Sequence, residues 1–129
     1  MKILESAENY LETILILSQK RSAVRSIDVA NQLGFSKPSV SVAMKRLRES
    51  GYVSVDRDGF ITLTPSGAAI ANAIYERHCV IAELFMHIGV SEEQAFTDAC
   101  KVEHKISQET FDRMREYYYR MKIKKEEKL

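Results

Sequence analysis

The stretch "RSIDVANQLGFSKPSVSVAMKRLRESG", Arg25–Gly51, decides the fold of the N-terminal half of this chain. Ser26 and Ser36 are predicted N-caps of two helices, because serine hydroxyls accept hydrogen bonds from the first free amides of a helix. Gly34 suits the position just after the first helix, and Pro38 is tolerated in the first turn of the second. Two helices joined by the three-residue turn "GFS" form a helix-turn-helix motif. The predicted core face of the first helix is Ile27, Ala30 and Leu33.

The segment that follows, "YVSVDRDGFITLT" over residues 52–64, predicts a β-hairpin. Its two runs of β-branched and aromatic residues flank a turn in which Asp58-Gly59 is a strong hairpin signal. A helix-turn-helix followed directly by a hairpin is a winged helix. Arg57 lies at the predicted tip of the wing, within reach of a phosphate or a minor groove.

Positive charge is concentrated in the same part of the chain. The segment from Lys20 to Arg48 has seven basic residues and one acidic residue, Asp28, although the formal net charge of the whole chain is only +1. A basic segment of this kind is typical of an anion-binding surface, such as one for nucleic acid. It is also typical of a solvated helix face, and charge alone leaves the two interpretations open.

Four further helices are predicted around this motif, and the first half of one of them is unusually rich in small residues. Thr64 and Ser91 are predicted N-caps, and Gln94 would complete a capping box at the second. The small residues, which include Gly67, allow close approach of another helix from the same chain or from a partner. The predicted spans are residues 5–19, Pro65 to about His87, Ser91 to Ile106, and a last helix that begins near Ser107.

These elements predict a mostly α fold with two domains. Residues 1–64 form a winged helix-turn-helix DNA-binding domain with a small β-hairpin wing, and residues 65–125 form an all-helical domain. The second domain is too small to bury all its apolar faces alone, so we predict a homodimer. No apolar run approaches the roughly 20 residues of a membrane span, and "MKILESAENY" at the N-terminus lacks the apolar region of a signal peptide. We therefore expect a cytoplasmic protein with no membrane partner.

The stretch "ACKVEH", Ala99–His104, contains three residue types that bind metals. On a helix, Cys100, Glu103 and His104 would project to one side. A thiolate, a carboxylate and an imidazole together favour iron, manganese, cobalt or zinc over magnesium or calcium. A catalytic trio and an ordinary helix with a buried cysteine stay open, because this spacing alone is a weak signal.

Three other polar residues would complete a six-donor site. His78 lies on the long preceding helix among apolar residues, where a partly buried structural histidine is the alternative interpretation. Asn9 and Glu12 are three residues apart on one polar flank of the first helix. The six donors suffice for one six-coordinate ion or for two ions that share ligands, but spacing cannot show whether they converge.

Four segments in the same order resemble the diphtheria toxin repressor family, which includes iron-dependent regulators and the manganese transport regulator. The resemblance covers nearly the whole chain. It implies a cytoplasmic homodimeric repressor that binds double-stranded operator DNA when loaded with Fe(II) or Mn(II), with Zn(II) or Co(II) as substitutes in vitro. The matching segments are "NYLETI", "SKPSVSVAMKRL", "LTPSGAAIANAIYERH" and "CKVEH".

The resemblance implies a set of metal ligands that mixes two branches of the family. Cys100 matches a cysteine of the iron type, whereas Glu12 matches a carboxylate of the two-domain manganese type. Asn9 stands where the iron type has methionine and the manganese type has aspartate. The ancillary site of the iron type is incomplete, since two of its positions hold Ala82 and Phe96. The implied ligands are Asn9, Glu12, His78, Cys100, Glu103 and His104.

The resemblance also implies which residues contact DNA. The second helix of the motif matches the family's recognition helix, but Val42 replaces a glutamine that contacts a base in the iron type. The basic residues here would mostly hold phosphates, which position a protein on DNA rather than read its sequence. The predicted DNA-binding residues are Arg25, Ser36, Lys37, Pro38, Ser39, Ser41, Val42, Lys45, Arg46 and Arg57.

Two other functions stay open from the sequence. A winged-helix regulator could sense an organic ligand or a thiol oxidant instead of a metal. A small metal-dependent or thiol enzyme is the alternative from another class, and it would need an open coordination position, a nucleophile and a pocket. The sequence has no oxyanion-hole or phosphate-loop motif and no sign of a small organic substrate. We therefore expect a regulator rather than an enzyme.

Overall fold

The computed structural model describes residues 5–127, and within that range the side chains of residues 5–122. The described chain has six helices and one antiparallel hairpin, which confirms the predicted mostly α fold with a small wing. In chain order the elements are α1 (Glu5–Lys20), α2 (Ser26–Leu33), α3 (Lys37–Glu49), β1 (Val53–Val55), β2 (Ile61–Leu63), α4 (Pro65–His87), α5 (Glu92–Val102) and α6 (Gln108–Glu127).

The chain divides into two compact units, each with its own hydrophobic core. The first unit ends at Ala73 and the second begins at Ile74, so the division falls within α4. The predicted domain boundary lies at the first residue of the same helix, Pro65. None of the described helices is long and apolar enough to cross a membrane.

In the first unit, α1, α2, α3 and the hairpin enclose one core. The face predicted for α2 is wrong at Ile27, which is 37% exposed, whereas Val29 is fully buried. A repeat of three residues drifts by about 60° per step on a helix with 3.6 residues per turn. The inward face is therefore shared by Val29, Ala30 and Leu33, and Ile27 falls at its edge. The residues that α1 contributes to this core are Leu11, Ile14 and Leu17.

The predicted N-cap is confirmed for α3 and wrong for α2, whereas Gly34 ends α2 as predicted. Ser36 caps α3 as predicted, and its hydroxyl accepts a hydrogen bond from the Ser39 amide at 3.3 Å. The N-cap of α2 is Arg25 rather than Ser26. The Asp28 carboxylate accepts from the Arg25 amide at 2.9 Å, so an acidic side chain in the first turn satisfies the helix start.

The wing has the predicted strands and turn. The Asp56 carboxylate accepts from the backbone amides of Asp58 and Phe60, both at 2.9 Å. Gly59 has a φ of 86°, a conformation that glycine adopts without steric cost. Arg57 is exposed at the tip of this turn, as the sequence predicted.

The start of α4 packs against the chain that leads into the wing. The Thr64 hydroxyl accepts from the Gly67 amide at 3.1 Å and donates to the Gly51 carbonyl at 2.7 Å, which confirms Thr64 as the N-cap. A Cβ atom at Gly67 would lie 1.9 Å from the carbonyl oxygen of Tyr52. At this position the small residue admits the backbone before β1, not the neighbouring helix that we predicted.

The second unit is built from the remainder of α4 with α5 and α6, and α5 is shorter than predicted. It ends at Val102, Glu103 is its C-cap, and residues 103–107 form a turn before α6. Two arginine side chains, Arg77 and Arg115, stack on the buried Phe111 ring at 5.1 Å and 5.3 Å from its centroid. The buried core of this unit consists of Val80, Ile81, Ala82, Ala95, Ala99 and Phe111.

The capping box predicted at the start of α5 is wrong. Ser91 is the N-cap, and its hydroxyl accepts from the Gln94 amide at 3.4 Å. The Gln94 side chain, however, donates to the Asp98 carboxylate one turn later, at 2.8 Å. An ionised acceptor makes the stronger hydrogen bond, so Asp98 draws the amide group away from the helix start.

Candidate metal centre

His78 and Glu103 form the middle of the candidate site. His78 lies on α4, and Glu103 is the C-cap of α5. The His78 Nδ1 atom is 2.9 Å from the Glu103 Oε2 atom, and the two side chains are only 13% and 1% exposed. A carboxylate buried to this degree requires a cation or hydrogen-bond donors beside it, and the imidazole supplies one donor.

Cys100 joins this pair from α5. Its Sγ atom lies 3.6 Å from the same His78 Nδ1 atom. Hydrogen bonds to Cys100 and to Glu103 raise the pKa of His78 from 6.5 to about 10, against the lowering effect of burial. The imidazole nitrogen that faces both groups therefore favours a bound proton, which a metal ion held by this nitrogen would have to replace.

His104 contacts the other oxygen of the same glutamate. Its Nε2 atom lies 3.3 Å from the Glu103 Oε1 atom, and its side chain is 4% exposed. The two carboxylate oxygens of Glu103 thus face two different imidazoles. Neither the nitrogen that each histidine presents nor the central place of Glu103 follows from residue spacing.

The predicted helical face of "CKVEH" is wrong in its geometry, because α5 ends at Val102. Glu103 nevertheless keeps helical backbone angles, with φ of −56° and ψ of −29°, so its side chain still projects near that of Cys100. His104 belongs to the turn that follows. Cys100 is therefore a helical residue, Glu103 a C-cap and His104 a turn residue.

Two aromatic rings lie close to the His78 imidazole. The Phe96 ring centroid lies 5.3 Å from that of the imidazole, and the Tyr75 ring stacks at 6.5 Å. Phe96 and Ala82 hold the positions that the resemblance assigns to an ancillary site. Neither side chain has a ligand atom, and Phe96 packs against the imidazole instead.

The two candidate ligands from α1 lie in the first unit. Glu12 is 4% exposed, and Asn9 is half-buried one turn earlier. The Asn9 backbone carbonyl accepts from the Thr13 hydroxyl at 2.8 Å, which leaves the Asn9 side chain out of that hydrogen bond. That Asn9 and Glu12 are also metal ligands stays a prediction from the sequence.

The predicted DNA-binding residues lie on the surface of the first unit. Val42 is 52% exposed on α3, opposite the buried Val40 and Met44. Arg25 stacks on the Phe60 ring at 4.4 Å, which joins the start of α2 to the wing. The other exposed members of the predicted set on this face are Ser36, Lys37, Pro38, Ser39, Ser41, Lys45 and Arg46.

The donor atoms of the second unit fit a divalent transition-metal ion. Ligand atoms of His78, Cys100 and Glu103 lie within 4.8 Å of one another. Imidazole nitrogen and thiolate sulfur suit iron, cobalt, zinc and, less well, manganese, whereas magnesium and calcium prefer oxygen donors. The chemistry of these residues therefore fits the ions that the resemblance implies.

Comparison with known proteins agrees with both halves of the fold. The N-terminal DNA binding domain of iron dependent repressors matches residues 2–60, and the metal binding and dimerisation domain of the same family matches residues 64–127. The transcriptional regulator MntR of Salmonella typhimurium is 36% identical over 108 residues, which are 84% of this chain and 69% of that protein. The chain belongs to the iron-dependent repressor family.

Two further comparisons involve a relative of similar length and a solved structure with a bound metal. An uncharacterized HTH-type transcriptional regulator of Methanocaldococcus jannaschii is 30% identical over 122 residues, which are 93% of this chain and 98% of that protein. The structure of a manganese-dependent transcriptional repressor in complex with manganese has a TM-score of 0.80 at 25% identity. The match covers 87% of this chain but only 52% of that one. The protein is thus a metal-dependent transcriptional repressor, and the chain contains both the DNA-binding domain and the metal-binding domain of the family.

Sequence reasoning missed one residue that contacts the candidate metal centre. Arg77 directly precedes His78, and its Nη1 atom donates to the backbone carbonyls of Glu103 and Ile106, both at 3.1 Å. Its Nη2 atom donates to the Gln108 side chain at 2.6 Å. The one available sequence signal was its position beside a candidate ligand, since its partners lie 26 to 31 residues away.

Proposed function

We propose that this protein is a cytoplasmic homodimer that binds double-stranded operator DNA when loaded with Fe(II) or Mn(II), and so controls genes of metal homeostasis. The observation that carries the proposal is the cluster of His78, Cys100 and Glu103, whose ligand atoms lie within 4.8 Å of one another. The cluster belongs to the domain that the family uses for metal binding and dimerisation. The cytoplasmic location rests on the need of a repressor to reach its DNA.

Six residues are proposed as metal ligands, from two sources of support. The short contacts within the second unit support His78 through Nδ1, Cys100 through Sγ, and the carboxylate of Glu103 with its neighbour His104. The family resemblance alone supports the two residues of α1. The proposed set is Asn9, Glu12, His78, Cys100, Glu103 and His104.

The proposed donor set should bind iron better than a site with oxygen donors alone would. Cys100 supplies a soft thiolate, which binds Fe(II), Co(II) and Zn(II) better than Mn(II). Asn9 supplies a neutral amide oxygen, a weaker donor for a hard cation than a carboxylate. Zn(II) and Co(II) are therefore expected to substitute in vitro.

The mechanism follows from which unit each proposed ligand belongs to. When bound, the ion supplies positive charge that offsets the buried carboxylates and the thiolate. Glu12 lies on α1, which shares a core with the recognition helix α3 through residues such as Leu11 and Val40. Cys100 and Glu103 belong to the dimerisation domain. Ligation by both sets would hold the two recognition helices of a dimer at the spacing of successive major grooves, about 34 Å.

On DNA, we propose that α3 enters the major groove and that the wing tip reaches the backbone. Lys37, Lys45 and Arg46 would neutralise phosphates, and Arg57 would add a contact from the wing. Val42 is the exposed apolar side chain at the middle of this face. The thymine methyl group is the apolar feature that a base pair presents in the major groove, so we propose that Val42 contacts a thymine.

The proposed function is binding without catalysis, without a membrane partner and without a small organic substrate. The Salmonella relative described above is a transcriptional regulator. A repressor needs no open coordination position for a substrate, and the aromatic rings beside His78 pack against the imidazole. Turnover by the metal-loaded protein is not part of the proposal.

One observation favours a second candidate, a repressor that responds to a thiol oxidant. Cys100 is a free, exposed cysteine 3.6 Å from the His78 imidazole, and oxidation of a cysteine depends on its exposure. The variant Cys100→Ser separates the two functions. Loss of a response to peroxide with an intact metal response would favour oxidant sensing, and the reverse would favour metal sensing.

The experiment that tests the main proposal is fluorescence anisotropy with a duplex selected from a randomised library by the metal-loaded protein. Binding is measured anaerobically at one fixed salt concentration with Fe(II), Mn(II), Zn(II) or a chelator, because phosphate contacts make affinity strongly salt-dependent. We expect the metal-loaded protein to bind more tightly than the metal-free protein. Equal affinity in the two states would contradict the proposal.

A further inference from the structure

Arg77 makes three hydrogen bonds to the turn between α5 and α6. Its guanidinium donates to the backbone carbonyls of Glu103 and Ile106, both at 3.1 Å, and to the Gln108 side chain at 2.6 Å. This turn carries both Glu103 and His104. Arg77 therefore bonds to the first residue of this turn, to Ile106 near its end, and to Gln108 just beyond it. The turn so held presents two proposed ligands.

The contacts of Arg77 are of the kind that fix geometry. The carbonyl of Glu103 lies at the C-terminus of α5, where backbone carbonyls lack partners inside the helix. A planar guanidinium bonds several acceptors in fixed directions, which a lysine ammonium cannot reproduce. Stacking on the Phe111 ring, at 5.1 Å from its centroid, fixes the plane of the guanidinium.

Arg77 and His78 act on the same glutamate from adjacent positions of one helix. Arg77 holds the backbone carbonyl of Glu103 at 3.1 Å, while His78 contacts its carboxylate at 2.9 Å. Residues of α4 thus contact both the backbone and the side chain of Glu103. A shift of the turn would move the carboxylate away from His78 and would move His104 with it.

We infer that Arg77 is a positioning residue for the metal centre, which sets metal affinity by holding Glu103 and His104 in place. The inference rests on the proposed function, since it assumes that Glu103 and His104 bind metal. Groups that orient metal ligands typically contribute about 10- to 100-fold to metal affinity. We expect an effect of this size from Arg77, although it would not touch the ion.

The structure supplies a matched control in Arg115. Its guanidinium stacks on the same Phe111 ring, at 5.3 Å. It pairs with Glu76 at 2.7 Å and with Asp112 at 3.1 Å, both outside the α5–α6 turn. Arg115→Met therefore removes an arginine from the same ring without releasing the turn.

The test measures Co(II) binding to the full-length protein without DNA, by the absorption bands of bound Co(II) in competition with a chelator. We expect Arg77→Met and Arg77→Lys to weaken Co(II) binding by about 10- to 100-fold. Arg115→Met should change it by less than about threefold, even if it lowers the unfolding temperature as much as Arg77→Met does. The intensity of the thiolate-to-cobalt band should change only in the Arg77 variants.

Each outcome decides a different statement. Unchanged Co(II) affinity in both Arg77 variants would overturn the positioning role while the proposed function stands. Equal weakening in Arg115→Met would also overturn it, because packing around Phe111 would then explain the loss. Failure of the unsubstituted protein to bind Co(II) would overturn the proposed function itself. If Arg77→Met does not fold, the comparison of Arg77→Lys with Arg115→Met decides the question.

Discussion

At the scale of single residues, Cys100 would determine how soft the donor set of the proposed metal centre is. Its Sγ atom is the one sulfur donor in the cluster with His78 and Glu103. Glu103, in contrast, organises the cluster, since each of its carboxylate oxygens faces a different imidazole. If the cluster binds a metal as proposed, Cys100 would influence which metal it prefers, and Glu103 would set the arrangement of the other ligands.

Replacing the thiol tests the first of these roles. Cys100→Ser should lower Co(II) and Zn(II) affinity by at least about tenfold, because a lost ligand costs more than a lost supporting residue. Mn(II) affinity should fall much less, since manganese prefers oxygen donors. Isothermal titration under anaerobic conditions measures both. Cys79→Ser is the matched control, because Cys79 is a free, half-buried cysteine outside the cluster; an equal effect in both variants would refute a ligand role for Cys100.

At the scale of elements, single contacts between distant segments of the chain hold two parts of the fold in place. The first turn of α4 lies against the backbone of Tyr52, and only a glycine at position 67 fits there. In the second unit, α5 ends at Val102, and Glu103 begins a turn whose backbone accepts hydrogen bonds from Arg77. The first contact positions the chain that leads into the wing, and the second positions the turn of the candidate metal centre.

The contact at Gly67 predicts a large effect of a small substitution. Gly67→Ala should destabilise the protein by roughly 1–3 kcal/mol, because the added Cβ meets a backbone carbonyl that cannot move aside. Urea unfolding followed by circular dichroism measures the free energy of unfolding. Ser66→Ala, at an exposed position of the same turn, should change it by less than about 0.5 kcal/mol. A Gly67→Ala protein as stable as the unsubstituted one would show that the wing can shift at no cost.

The proposed contact of Val42, on the recognition helix α3, predicts that DNA affinity depends on one thymine methyl group. If Val42 contacts a thymine, replacing that thymine with uracil should weaken binding by roughly fourfold, from about 0.8 kcal/mol for a buried methyl-sized group. In Val42→Ala the same replacement should have little effect. A scan of single uracil substitutions through the selected duplex, measured by anisotropy, identifies the position. If no position distinguishes Val42 from alanine, the proposed contact is wrong.

At the scale of the whole molecule, the chain pairs a DNA-binding unit of basic surface with a second unit that carries the donor cluster. The family assigns DNA binding to the first half and metal binding with dimerisation to the second. A repressor of this form must couple two different binding events. The coupling has to be reciprocal, because binding free energies around a closed cycle sum to zero.

Reciprocity makes the coupling measurable from either side. We expect Mn(II) or Co(II) to raise the affinity for the selected duplex by about 5- to 150-fold, which corresponds to 1–3 kcal/mol. The duplex should raise metal affinity by the same factor, measured by chelator competition with and without DNA at one salt concentration. Addition of a chelator should release the protein from the duplex. Factors that differ between the two directions would indicate a change in oligomeric state between the measurements.

The sequence by itself determined the elements that depend on neighbouring residues. Ser36 as a cap, Gly34 with its φ of 71° and the Asp58-Gly59 turn act over a few positions, so their patterns predict structure directly. The family resemblance named His78, Cys100 and Glu103 together, but spacing did not show that they meet. Even local rules failed where one side chain had two possible partners, as when the Gln94 side chain donated to Asp98 instead of accepting a hydrogen bond at the helix start.

Only the tertiary structure decided the contacts between distant parts of the chain. His78 and Glu103 lie 25 residues apart, and Arg77 reaches acceptors up to 31 residues away. Sequence periodicity describes which face of a helix is apolar, but it contains no distance between two helices. The end of α5 at Val102, the approach of Tyr52 to Gly67 and the nitrogen that His78 presents all depend on such distances. Packing of the two cores fixes these distances, and packing is a property of the whole folded unit.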